Sequence, residues 1–292
     1  MEIRGTYGRK YKKLLLYGAV SSGLVELVTC FVMLFGIYDW HKKENYLLVS
    51  NLVCLQGYMY YFWWRAYRIH MKWYLLVSLL SFFLFLVHGI TIAIQFESFN
   101  VYVQVGVVGL ILSGFIYLNV VVACYVLFFR VLNRRVSLNN ACQRSFETYL
   151  VVAPLTEFDL AVSTLLFMAF LYFYSNSKPS QMVLGIVTVS FAYILQIGIY
   201  SFPQISVKNN QKRVLSWFVL LHALLLALKV GFVILVNIYN NLGSAVVVQT
   251  YFYLFLDLGI TFFLINYSLK LKRLLVFRVS SFLREILLEE LN

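Results

Sequence analysis

Long apolar runs separated by short polar segments recur along the whole 292-residue chain. A helix needs about 20 apolar residues to cross the hydrocarbon core of a bilayer, and eight runs approach or exceed that length. They lie at residues 14–38, 46–67, 73–96, 101–129, 149–174, 181–202, 214–239 and 246–270. None alternates between apolar and polar positions as barrel strands do. The pattern therefore predicts an all-α, polytopic membrane helix bundle of eight transmembrane helices.

The composition is also that of a membrane protein. Hydrophobic residues make up 62% of the chain and charged residues 12%, whereas a soluble domain has about 25% charged residues. Three prolines and 15 glycines are too few for a linker-rich or low-complexity chain. These values exclude a soluble domain and a disordered chain.

The net charge of +12 is distributed unevenly along the chain. With a cytoplasmic N-terminus, 20 of the 24 Lys and Arg residues fall in cytoplasmic segments, and only Lys42, Lys43 and Lys178 lie on the opposite side. This bias follows the positive-inside rule and predicts that both termini are cytoplasmic. Omitting the second span would move every later loop to the opposite side of the membrane, and the cations would then fall on both sides. Eight spans are therefore preferred over a seven-span receptor topology. The charge then reflects topology, and no nucleic-acid partner is expected.

The C-terminal segment, 272–292, has the pattern of a cytoplasmic amphipathic helix. Leu275, Val279 and Phe282 fall on one side, with Arg278 and Glu289 elsewhere. Such a helix lies in the membrane interface, where its basic residues meet anionic lipid headgroups. The alternative is a docking helix for a membrane-protein partner, and a homo-oligomer is also compatible with the sequence.

The two halves of the chain resemble each other. The segment that begins at Glu26 is similar to the one at Asp159, and Trp73-Tyr74-Leu75-Leu76 is similar to Trp217-Phe218-Val219-Leu220. With four spans in each half, both halves enter the membrane from the same side, as in parallel transporter repeats. The sequence predicts two four-helix repeats, 14–129 and 149–270, and the alternative is chance similarity between apolar helices.

Ionisable residues inside the predicted spans are the most informative chemistry. Each charged side chain at the bilayer centre costs at least about 2.5–3.5 kcal/mol, so such residues face a bundle interior or a hydrated cavity. We therefore predict a substrate or ion pathway at the depth that they share. The residues predicted to line it are Glu26, Glu157, Asp159, Lys229 and Asp257, with Gln56, His88 and Asn119 at similar depth.

The expected arrangement within this layer follows from helix geometry. Lys229 is expected to neutralise Asp257 on the adjacent span. Glu157 and Asp159 differ by about 200° around a helix, so Glu157 is expected to face the cytoplasmic vestibule. His222 is interpreted as a packing residue. The alternative is that the layer only forms interhelical hydrogen bonds and ion pairs that fix the bundle.

Sequence patterns of catalysis are mostly absent. The chain lacks His-Glu-x-x-His, Gly-x-Ser-x-Gly, a phosphate-binding Gly-rich loop and Cys-x-x-Cys. Asp159 and Asp257 could form the acid pair of an intramembrane aspartyl protease, but the flanking residues differ from the Tyr-Asp and Gly-x-Gly-Asp contexts of such enzymes. We expect no enzymatic activity, no metal site and no cofactor.

One segment resembles a known family. Phe146-Glu147-Thr148-Tyr149-Leu150 and Ala153-Pro154-Leu155 are similar to the Phe-Glu-Thr-x-Leu and Ala-Pro-Gln-Leu segment of XK-related phospholipid scramblases, although Leu155 replaces the family's Gln. The resemblance covers about residues 140–260. It implies two four-helix repeats and a charged track that conducts lipid headgroups, with Glu26, Glu147, Asp159 and Lys229 at the matching positions.

The leading hypothesis is therefore a transport-class membrane protein that moves lipid headgroups, protons or small cations. The alternatives are a chemosensory-type membrane receptor and an assembly subunit of a larger membrane complex.

Overall fold

The computed structural model describes residues 6–36, 43–69, 72–95, 101–135, 140–175, 179–209, 211–239 and 244–274. Within these ranges the chain is almost entirely helical. The helices are α1 (Thr6–Gly36), α2 (Lys43–Ile69), α3 (Lys72–Gln95), α4 (Val101–Arg135), α5 (Asn140–Ser175), α6 (Pro179–Ile199), α7 (Phe202–Asn209), α8 (Lys212–Tyr239) and α9 (Ser244–Leu274). The predicted tail helix lies almost wholly outside the described residues, as does the side chain of Glu147.

Five apolar helical stretches within the described ranges are long enough to cross a membrane. They are Trp73–Thr91, Thr148–Leu171, Gly185–Val207, Lys212–Phe232 and Thr250–Arg273. Leu16–Thr29 and Val108–Ala123 are shorter apolar stretches among the described residues. The all-α fold class is confirmed. The five stretches also identify the chain as a membrane protein.

The chain divides into two compact units, Met1–Arg135 and Val136–Asn292. In the first unit, α1 packs against α4, α2 against α3, and α3 against α4. In the second, α5 packs against α6 and α9, and α8 packs against α7 and α9. The first long helix of each unit thus contacts its last helix. The sequence repeat itself stays a prediction.

Glycines allow the helices of the first unit to approach closely. A Cβ added to Gly18 of α1 would lie 2.5 Å from Cγ2 of Val120 on α4, and one added to Gly109 would overlap Oγ1 of Thr29. Small residues have this role in membrane bundles, because their absence of side-chain bulk brings two backbones into contact. The close packing of α1 and α4 therefore depends on glycine at positions 18 and 109.

The centre of the second unit is α5. Its apolar stretch is buried on nearly every face, with Val162 and Leu165 fully inaccessible. Pro154 lies inside the helix and has no N–H, so the carbonyl of Leu150 loses its usual intrahelical donor. A helix surrounded by protein on all sides can place polar groups toward several neighbours, and this is what positions the site described below.

The interface glycines yield a test by matched substitution. Gly109→Leu is expected to lower the free energy of unfolding by about 1–3 kcal/mol, the usual cost of overpacking. Gly57→Leu is the control, because a Cβ added to Gly57 has no neighbouring atom within 4 Å. Thermal unfolding of both variants in the same detergent measures the difference. Equal midpoints for the two would contradict the close α1–α4 packing.

Candidate functional site

Four helices of the second unit bring charged and polar side chains together. We call this group the charged cluster, and its members are Asp159 and Ser163 on α5, Gln196 on α6, His222 and Lys229 on α8, and Asp257 on α9. Helical periodicity explains the grouping, because residues four or seven apart lie on one face. Asp159 and Ser163 are four apart, and His222 and Lys229 are seven apart. All but Lys229 are 3% exposed or less, and the Lys229 side chain is 11% exposed.

Lys229 and Asp257 form an ion pair between α8 and α9. The Lys229 Nζ lies 2.9 Å from Oδ2 and 3.1 Å from Oδ1 of Asp257. It also donates to Oγ of Ser163 at 2.8 Å, and that hydroxyl donates to Asp257 Oδ1 at 3.3 Å. An ammonium group has three N–H donors, so these acceptors use all of them. This is the pairing that the sequence predicts for Lys229.

Asp159 accepts hydrogen bonds from two neighbouring helices. Its Oδ2 accepts from Nε2 of Gln196 at 2.5 Å and lies 3.1 Å from Nε2 of His222. The other imidazole nitrogen, Nδ1 of His222, lies 3.3 Å from the carbonyl oxygen of Phe218. Oδ1 of Asp159 has no hydrogen-bond partner within the part of the chain that the structure describes. One carboxylate oxygen is thus held tightly, while the other is still able to accept.

The two contacts of His222 relate its hydrogen bonding to the number of protons at the Asp159–His222 pair. A neutral imidazole has one N–H donor and one acceptor nitrogen, yet both His222 contacts are to oxygens, and the carbonyl can only accept. Both contacts are satisfied only if both ring nitrogens carry hydrogen, or if Asp159 carries one and donates it to Nε2. In either case, the Asp159–His222 pair holds one proton more than an ionised carboxylate beside a neutral imidazole.

That proton makes the charged cluster electrically neutral. Asp159 and Asp257 contribute two negative charges, Lys229 one positive charge, and the additional proton another. Without it, one net negative charge would remain among side chains that are almost fully buried. Buried charges are stable only when paired and hydrogen-bonded, so the geometry couples proton occupancy to the charge balance of the core.

A small cavity of about 30 Å³ adjoins the cluster between α5, α6 and α8. Ser163, Gln196 and Lys229 line it on the polar side, and Phe167 and Tyr193 are among its aromatic residues. The two rings stack at 4.5 Å between centroids. A cavity of this size accommodates one water molecule with several polar partners. One water molecule, which can accept or donate a proton, therefore fits beside the charged cluster.

The first unit contains a separate buried carboxyl group, Glu26 on α1, which is 0% exposed. Its Oε2 accepts from the Tyr60 hydroxyl at 2.7 Å, and its Oε1 lies 3.0 Å from Oγ of Ser22. The side chains of Gln56 and Ser113 also interact with it. The ring of Tyr60 reaches this carboxyl by passing over Gly23, since a Cβ there would lie 3.0 Å from the hydroxyl.

The other predicted site residues lie elsewhere. The side chain of Asn119 is exposed and donates to the carbonyl of Phe115 at 2.7 Å on its own helix, so it is not part of the charged cluster, and its place in a pathway stays a prediction. Glu157 is 5% exposed and so is surrounded by protein rather than by an open vestibule. His88 is buried on α3.

Sequence reasoning missed His222, Gln196 and Tyr60 as site residues. His222 was interpreted as packing, although its spacing of two helical turns from Lys229 was an available signal. Gln196 and Tyr60 carried no comparable signal, because many uncharged polar residues occur in the spans and only the helix rotations select these two.

Loss of one partner of the ion pair gives a sharp stability test. Lys229→Met is expected to lower the free energy of unfolding by about 3–5 kcal/mol, since it leaves a buried charge uncompensated. The double variant Lys229→Met, Asp257→Asn removes both charges and is expected to recover most of that loss. Unfolding in detergent would measure the recovery, and a double variant as unstable as the sum of the two single variants would contradict the pairing.

No known protein family, curated protein or solved structure matches the chain. The resemblance to XK-related scramblases accordingly stays an expectation from the sequence.

Proposed function

We propose that the chain is an integral membrane protein of the transport class in which the charged cluster carries protons. The observation that supports this proposal is the position of His222 between two oxygens, one of the Asp159 carboxyl group and one of the Phe218 carbonyl. Both contacts are hydrogen bonds at once when the pair holds one additional hydrogen. A buried pair that gains or loses one proton is the minimal element of a proton relay. The adjoining one-water cavity supplies a partner for exchange.

The transfer step is simple in chemical terms. Neither Asp159 nor His222 lines the cavity, but Gln196 lines it and bonds to Asp159. A proton leaves the Asp159–His222 pair for a water that enters past Gln196, and the cluster then carries one net negative charge. Another proton arriving at the pair restores neutrality. The Lys229–Asp257 pair remains intact throughout and limits the charge change to one unit.

The geometry favours protons over lipid headgroups and small cations. A headgroup phosphate needs free donors, but the three N–H groups of Lys229 are taken by Asp257 and Ser163. The cavity of about 30 Å³ is also far smaller than a headgroup. A small cation needs several converging oxygens, whereas the partners of Asp159 Oδ2 are nitrogen atoms, Nε2 of Gln196 and Nε2 of His222.

Receptor and assembly roles have less support. The four ionisable side chains of the charged cluster pair with one another inside the second unit, so their neutralisation requires no helices from a partner. We propose no catalytic role for Asp159 and Asp257, because Asp257 is engaged by Lys229 and Ser163.

Proton flux into liposomes tests the proposed function. Purified protein is reconstituted with a trapped pH-sensitive dye, and a potassium diffusion potential drives protons inward. Asp159→Asn and His222→Gln are each expected to slow the flux by at least about tenfold, because positioned proton-transfer groups contribute about 10²–10⁴-fold. Asn266→Leu is the control: Asn266 is exposed on the same helix as Asp257 and bonds only to the carbonyl of Phe262 among described residues.

The same liposomes distinguish the competing substrates. Dithionite quenching of a labelled phospholipid follows headgroup movement in parallel with the pH signal. Lipid movement without proton flux would replace the proposal with scrambling, and absence of both would exclude transport. Flux that is equal in wild type, Asp159→Asn and His222→Gln would exclude the charged cluster as its route.

The proposal includes eight spans with both termini cytoplasmic. The 20-to-3 distribution of cations supports this topology. Epitope tags at the two ends should both resist protease added outside intact cells and both become accessible after selective permeabilisation of the plasma membrane. Cleavage of one tag in intact cells would favour the seven-span alternative.

A further inference from the structure

Glu26 is a second buried carboxyl group, and the charged cluster does not include it. It lies on α1, whose nearest packing partner in the first unit is α4. Its described partners are all formally uncharged: Tyr60, Ser22, Gln56 and Ser113. The described cations of this unit are engaged or exposed elsewhere, since Arg65 lies 5.3 Å from the Tyr74 ring centroid and Lys13 is exposed.

Ser22 has two contacts and one hydrogen. Its Oγ lies 3.0 Å from Oε1 of Glu26 and 3.4 Å from the carbonyl oxygen of Ser113 on α4. The carbonyl only accepts, so a Ser22 hydroxyl that donates to it has no hydrogen left for Glu26. An ionised Glu26 leaves the single Ser22 hydrogen to be shared between two acceptors. Two full hydrogen bonds are made at once when Oε1 of Glu26 carries a hydrogen and donates it to Ser22.

The charge environment leads to the same protonation state. An ionised carboxylate with no exposed area and no neighbouring cation is costly, and such a group normally takes up a proton. The titratable groups beside it are Tyr60 and, further along α4, Tyr117, whose hydroxyl bonds to Ser78. Neither is a cation, so neither can compensate a negative charge on Glu26.

We propose that Glu26 is a second proton-binding site, with its hydrogen on Oε1 at neutral pH. The hydrogen-bond chain then runs from Glu26 through Ser22 to the Ser113 carbonyl and joins α1 to α4. Removal of the proton reverses the Ser22 hydroxyl toward Glu26 and breaks the link to α4. Proton occupancy at this site therefore controls one polar contact of the α1–α4 interface, independently of the proposed proton transport.

Infrared spectroscopy of the 292-residue chain tests the proposal directly, in liposomes of ether lipids that have no ester carbonyl groups. A neutral carboxylic acid has a C=O stretching band that ionised carboxylates lack. At neutral pH the difference spectrum between the wild type and Glu26→Gln is expected to show this band, and the same band is expected when Glu26→Gln is introduced into Asp159→Asn, so a proton on Asp159 does not account for it. If wild type and Glu26→Gln have identical spectra in this region, the proposal is overturned.

A second measurement separates a proton from a bound metal cation and from a purely structural role. The band should keep its intensity when potassium chloride is exchanged for sodium chloride, and its loss in sodium would identify a sodium site instead. The unfolding midpoint of the wild type should fall as the pH rises above about 4.3, the carboxyl pKa of an unfolded chain, because the folded state then holds one proton more than the unfolded state. It should fall more steeply than the midpoint of Glu26→Gln, whose amide does not titrate and keeps a donor toward Ser22. Parallel pH profiles for the two proteins would contradict proton control of the interface.

Discussion

The architecture of the second unit depends on neutralising charge away from water. The Lys229–Asp257 pair crosses from α8 to α9, and its Ser163 contact adds α5. An isolated charge in this environment would cost several kcal/mol, so these helices can pack only in a register that keeps the partners together. The apolar surfaces around the pair specify little, because hydrocarbon side chains fit one another in many rotations. The ion pair selects one of them.

The two units obtain their specificity by different physical means. In the first, α1 and α4 approach where side chains are missing, at Gly18 and Gly109. In the second, Gly198, Gly231 and Gly259 have open space around them, and buried polar bonds join the helices. The dispersion energy of a close interface decreases gradually as the helices move apart. Separating a buried ion pair instead leaves two unpaired charges, which is strongly destabilising. The second unit is thus the less tolerant of small helix shifts.

Much of the fold was accessible from the sequence, and less of the site. Apolar runs reveal helices and membrane character because the bilayer imposes length and composition directly. Acids and a lysine inside such runs stand out because a charged side chain in the bilayer costs much free energy. Asp159, Lys229 and Asp257 could be identified in this way. Histidine is moderately polar and is often found in protein cores. The role of His222 is visible only in the structure, where the orientation of α8 places it beside Asp159. The amide of Asn119 bonds to a carbonyl of its own helix, so its depth in the span does not determine which way the side chain faces.

The absence of a side chain at Gly23 has a consequence for substitutions at this position. Gly23 precedes Glu26 by about one helical turn, and the hydroxyl of Tyr60 passes where a larger residue would place its first carbon. An alanine at position 23 would place its Cβ 3.0 Å from the hydroxyl of Tyr60 and 3.1 Å from Cζ, so the phenol would have to shift by a few tenths of an ångström. The same hydroxyl bonds to Glu26, and a change at position 23 would therefore reach the carboxyl group through Tyr60.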